Sequence, residues 1–210
     1  MTEPKPPTVN PNGDPQNHGR NRFLKPDEGL EESKRLQSLL HKYRDKRVLV
    51  VAPPSAGKST LLQHIKEGVD MDNIFDTMPE KVKDFAMQRE NQYSDIETRK
   101  LRYTQKEFVV GDPQSTVDLE LSNVFFTTYV NEHMKIQPGK PVFGTKVIDC
   151  DVIVYLKLSY ETYKSRLDSR NKNTNRPEQP EKVFAIKGLI ERDVGTAKSL
   201  GVIVEEFEVI

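Results

Sequence analysis

Four apolar residues, Val48-Leu49-Val50-Val51, run straight into A-P-P-S-A-G-K-S-T at 52–60 and on into Leu61-Leu62-Gln63-His64-Ile65. A short apolar run closed by proline and glycine reads as a buried strand, and the residues beyond read as a helix. A strand that enters a glycine-bearing turn and then a helix directs several backbone N–H groups and a helix start toward one point. That point is an anion site. Lys58 adds a mobile positive charge able to reach outer phosphates, and the Ser59 hydroxyl suits a magnesium ion whose other ligands are phosphate oxygens and water.

Residues Ala52, Pro53, Pro54, Ser55, Ala56, Gly57, Lys58, Ser59 and Thr60 are therefore expected to form the phosphate-binding loop of a nucleoside triphosphate enzyme. Ala52 stands where the pattern G-x-x-x-x-G-K-S/T begins with glycine, and alanine is the smallest substitute. The competing account is an ordinary strand-turn-helix with a surface lysine.

At 210 residues the chain suits one well-packed domain rather than two. Lys plus Arg and Asp plus Glu both total 32, so no global charge imbalance draws it to nucleic acid or membrane. No apolar stretch reaches the ~20 residues that span a bilayer, and the start lacks the apolar centre of a signal peptide. A soluble cytoplasmic protein is expected, in the host's cytoplasm for a viral chain, with no membrane partner. Cys150, the single cysteine, precedes an apolar strand and reads as a buried thiol without chemistry.

Residues 1–28 are rich in Pro, Asn, Gly and charge, with little apolar content to offset the entropy of ordering. They are expected to be a disordered tail, either a solvated leader or an arm that meets a partner through Arg20, Arg22 and Lys25. The domain then spans 29–210. Leu30, Leu36, Leu39, Leu40 and Tyr43 recur at helical spacing. After the loop, a helix is expected to end about Gly68 with positive φ, followed by a strand at Asn73-Ile74-Phe75. Helical residues are expected from Pro79 through Met87 and over Ile96 to Tyr103, a strand at Phe108-Val109-Val110 and a helix from Ser115 to His133. A strand from Asp151 to Leu158, helices over Tyr160 to Arg170 and Val183 to Leu200, and a strand at Val202-Ile203-Val204 complete the order. This alternation argues an α/β three-layer sandwich: a parallel sheet of about five strands with helices on both faces and the site at the strands' carboxyl ends.

Phosphoryl transfer needs positioning, positive charge on the moving phosphate and, for a hydroxyl acceptor, a group that takes the proton. Asp76, after the expected second strand, is the candidate base, with helix capping as the competing role. Asp112, after the third, is a candidate magnesium ligand, with a turn before Pro113 as the competing role. Gln114 and Ser115 lie beside it. Arg166, Arg170 and Arg176 flank a polar segment that could close over the site, an arginine-bearing lid around 166–182. The first two lie four residues apart and share a helix face. Arg89, Arg99 and Arg102 form a second basic group.

At these residues the chain resembles the small P-loop kinases of the nucleoside monophosphate and thymidylate kinase type. The resemblance runs from about Arg47 to Ile210: A-P-P-S-A-G-K-S-T, I-F-D-T, V-V-G-D, D-V-I-V-Y-L-K-L, R-L-D-S-R-N-K-N-T-N-R-P as a lid, and G-V-I-V-E-E-F. It implies ATP and Mg2+ as cosubstrates and a lid that closes over ATP. The Asp/Glu-Arg-Tyr type motif usual in thymidylate kinases is not apparent, and an aspartate after the second strand is similar to what kinases of hydroxyl acceptors carry. The leading specific expectation is a kinase of 5-hydroxymethyluracil in DNA, as in one bacteriophage branch of the group. The alternative is a free (deoxy)nucleoside monophosphate kinase. A reading of another class is an ATP-binding or ATP-hydrolysing regulatory module.

Overall fold

The computed structural model describes residues 29–76, 79, 111–172 and 179–210. The tail over 1–28, the helical residues expected after Pro79, the strand Phe108-Val109-Val110, the basic group Arg89, Arg99 and Arg102, and Arg176 lie outside the described residues.

Helix α1 (Leu30–Lys42) carries Glu31 and Glu32 in its first turn and His41 and Lys42 in its last, matching the signs of the helix dipole. It buries Ser33, Leu36 and Leu40 on one face. Strand β1 (Val48–Val51) is buried throughout and leads into α2 (Lys58–Leu62). The chain continues through β2 (Val69–Asp70), α3 (Asn73–Asp76), α4 (Pro113–His133), β3 (Val142–Gly144), β4 (Val152–Lys157), α5 (Tyr160–Lys172), α6 (Pro180–Ser199) and β5 (Ile203–Glu208).

Among the described residues the strands form one sheet of five, in the order β2-β3-β1-β4-β5, and every pairing is parallel. Alternate residues of a strand face opposite sides. Val48 and Val50 of β1 join Val152, Val154 and Leu156 of β4 in one core, together with Leu36, Leu61, Tyr163 and Leu167 from α1, α2 and α5. Leu49, Val51, Ile153 and Tyr155 enter a second core with Tyr129 and Val130 of α4 and Ile190 and Val194 of α6. The fold is the expected α/β sandwich with helices on both faces. Full burial of each such side chain contributes ~1.5–3 kcal/mol, so strands and helices stabilise the sandwich together.

Three expectations are corrected. The second strand is Val69–Asp70, and Asn73–Asp76 is helical. Met71 still donates to Phe143 O at 2.8 Å, but Asp70 Oδ1 accepts the Asp72 N–H at 3.0 Å and turns the chain off the sheet. Strand β3, set between Pro141 and Thr145, was not among the expected elements. Helix α2 stops at Leu62, and tighter turns continue to Gly68, whose N–H donates to Ile65 O at 2.9 Å. Gly68 is not among the glycines of positive φ. Space requires it instead, because a Cβ there would lie 2.4 Å from Leu62 Cδ1 and 3.0 Å from Ile65 O.

Strand order positions the site. From β1 the chain crosses to β2, returns to β3 beside β1, then passes to β4 on the opposite side. Connections leave in opposite directions around β1, which opens a crevice at its carboxyl end. The loop at 52–60 starts there.

Candidate functional site

Ala52 prolongs β1 by one residue: its N–H donates to Gly144 O at 3.2 Å and its methyl group is buried in the first core. Ser55, at 64°, is the one non-glycine residue of positive φ among those described, so Ala52 needs no glycine conformation. The departure from the sequence pattern is thereby explained. Gly57 has φ 92°, and a Cβ on it would lie 2.6 Å from Arg166 Nη1. Backbone and space both demand glycine at this position.

Side chains hold the loop's carbonyls. Lys58 Nζ donates to Ala52 O at 2.7 Å and to Pro53 O at 2.8 Å, while the Tyr163 hydroxyl donates to Pro54 O at 2.9 Å and Arg166 Nη1 to Ala56 O at 3.1 Å. In a trans peptide the C=O and the following N–H point in opposite directions. Holding Pro54 O and Ala56 O against α5 therefore turns the N–H groups of Ser55 and Gly57 to the other side of the loop. The two carbonyls that take Lys58 are followed by prolines, so no N–H lies behind them.

Tyr163, Arg166 and Arg170 are spaced three and four apart on α5 and share a face. Arg170 Nη1 donates to Ser55 Oγ at 3.0 Å, and Arg166 Nη2 reaches Ile210 O at 3.2 Å. The fold thus gathers the loop, Lys58, Arg166 and Arg170 in one place. Ser59 and Thr60 lie half-buried in the first turn of α2, whose opening N–H groups have no acceptor within their own helix. Ser33 Oγ, which also bonds Gly29 O within the first turn of α1 at 2.6 Å, docks that helix onto α2 through Leu61 O at 3.3 Å.

Asp76 closes α3, downstream of the carboxyl end of β2 rather than on it. Asp112 caps α4: its Oδ2 accepts the Ser115 N–H at 2.9 Å and the Ser115 hydroxyl at 2.7 Å, with Pro113 as the first helical residue. Asp112 is thus a helix cap rather than the turn residue set against metal binding, and it takes up the Ser115 hydroxyl as well. Among the described residues no group of three or more His, Cys, Asp or Glu side chains is placed to hold a metal. Cys150 is buried, and burial, with Asp149 adding to it, pushes its thiol up to about 12. Such a thiol stays protonated and inert.

Sequence reasoning missed Tyr163, although its place three residues before Arg166 on one helix was a usable signal. It also missed the turn after β3, because the three residues of β3 carry too little pattern to mark a strand. Among the described residues no helix is long and apolar enough to cross a membrane. No protein-family model matches the chain, and no curated protein matches it.

Proposed function

We propose that the chain is an ATP-dependent phosphotransferase acting on a hydroxyl of a nucleotide-type acceptor, with 5-hydroxymethyluracil in DNA as the specific candidate. One observation carries the reading: Lys58, Arg166 and Arg170 converge on a loop that turns N–H groups away from α5 at the crevice above β1. That arrangement suits the phosphates of ATP. The hydroxyl of Ser59, beside Lys58, is the donor suited to Mg2+, which when bound shields phosphate charge. Asp112, already a helix cap, is the weaker candidate ligand.

In this reaction the acceptor oxygen attacks the γ-phosphorus, and the bond from that phosphorus to the β–γ bridging oxygen breaks, releasing ADP. Asp76 is the candidate group that takes the hydroxyl proton. Lys58, Arg166 and Arg170 would leave their present loop oxygens for phosphate oxygens, with Arg176 of the lid as a further cation.

The test is labelled ATP with nucleosides, nucleotides, and normal or hydroxymethylated DNA. Label on 5-hydroxymethyluracil DNA supports the specific reading. Label on a free nucleoside monophosphate alone replaces the acceptor, and ATP hydrolysis with no labelled acceptor favours the regulatory module.

A further inference from the structure

Tyr163 is 2% exposed, and its ring stands edge-on to Phe184 of α6 with centroids 5.5 Å apart. A phenylalanine would fill the same space, so packing alone does not explain the hydroxyl, whose burial costs stability unless it is hydrogen-bonded. That hydroxyl donates to Pro54 O at 2.9 Å. The carbonyl it holds belongs to the one peptide of the loop whose direction the local sequence opposes.

Pro53, Pro54, Ser55 and Ala56 make a turn closed by the Ala56 N–H, which donates to Pro53 O at 3.3 Å. Proline at the second position has φ fixed at about −65°, and Ser55 at the third has φ 64°. This is the type II arrangement, which asks for glycine at the third position. Any other L-residue there favours the type I turn, in which the ends stay in place and the central peptide is turned over. In that form Pro54 O would leave Tyr163 and the Ser55 N–H would point toward α5. Serine carries a left-handed backbone penalty, so bonds from outside the turn must offset it. Tyr163 supplies one to the central carbonyl, and Arg170 Nη1 supplies another to Ser55 Oγ at 3.0 Å.

We propose that Tyr163 is a positioning residue whose hydroxyl selects the type II form of this turn, so that the Ser55 N–H faces the phosphates of ATP rather than α5. This inference rests on the ATP-binding part of the phosphotransferase reading. Tyr163 itself touches no phosphate; it acts through the peptide between Pro54 and Ser55.

The experiment is titration calorimetry with ATP and Mg2+ on the full-length chain and on a mutant cycle. Tyr163→Phe keeps the ring and removes only the hydroxyl, so it should weaken ATP binding by about three- to tenfold with little change in melting temperature. Glycine meets no left-handed penalty, so in a Ser55→Gly background the same Tyr163→Phe change should cost less than about twofold. In a Ser55→Ala background it should cost its full factor, because alanine loses the Arg170 bond but keeps the Cβ that opposes positive φ. A purely packing role for Tyr163 would cost the same in all three backgrounds. If Tyr163→Phe does not fold, Tyr163→Met takes its place in the cycle. Unchanged ATP affinity in Tyr163→Phe, or an equal loss in the Ser55→Gly background, overturns the proposal and leaves the phosphate-binding loop standing. No ATP binding by the parent removes that reading and this proposal with it.

Discussion

Two residues of the loop show why a sequence pattern and a backbone requirement are different things. The second glycine of the pattern, Gly57, sits at φ 92° with the Arg166 guanidinium against its Cα. Gly57→Ala should cost ~1–2 kcal/mol from the left-handed backbone alone and displace Arg166 besides. The check is thermal unfolding together with nucleotide titration, and both should fall. The first position behaves differently, since Ala52 is fully buried and keeps an ordinary φ. Ala52→Gly, which restores the usual pattern, should lower stability by ~1 kcal/mol and leave nucleotide affinity no higher than the parent's. A clear gain in affinity would mean that the loop does need glycine there.

At the scale of elements, the amino ends of β1 and β4 are clamped opposite the site. Arg47 donates from its main chain to Asp151 Oδ2 at 2.8 Å, from Nη2 to Asp151 Oδ1 at 2.8 Å and from Nη1 to Asp149 Oδ2 at 2.6 Å. The hydrogen bonds from the Arg47 side chain and then its main-chain N–H hold the Asp151 carboxyl below the usual carboxylate range. The unfolded chain therefore binds the proton first as pH falls. The clamp's contribution is full above about pH 4, the ordinary range of an aspartate, and is lost as pH drops through the lower folded value. Asp151→Asn should remove ~1–2 kcal/mol at neutral pH, or ~2–8 °C in melting temperature, and flatten the stability loss on acidification. Nucleotide binding at the far end of the strands should not change.

Elements were legible where pattern was long or chemistry strong. The four apolar residues of β1, the six residues of β4 and the long helices α4, α5 and α6 emerge close to their expected places. Ile74 and Phe75 read equally as strand or helix because two apolar residues carry no period, and the Asp70 turn decided for helix. In β3, burial on both faces leaves no alternation to read, and Pro141 and Gly144 shorten it further. The arginines of α5 were legible as a shared face, but their partners were not, since contacts over more than a hundred residues of chain leave no local trace.

In the molecule as a whole, the sheet converts a local motif into a site. Among the described residues five parallel strands aim their carboxyl ends one way, the reversal of connections around β1 opens the crevice, and two separate cores fix α5 and α4 on its flanks. Charges act locally within this frame, since 32 basic and 32 acidic residues leave no net field to steer a ligand. The loop at 52–60 is proposed to bind the phosphates of ATP through Lys58. Titration calorimetry of the chain and its Lys58→Ala variant with ATP and Mg2+ tests it most directly. The account predicts saturable one-to-one binding by the parent and a loss of about a hundredfold or more in the variant, ~2.7 kcal/mol, with melting temperature unchanged within a few degrees. No binding by the parent, or equal affinity in the two proteins, would contradict it.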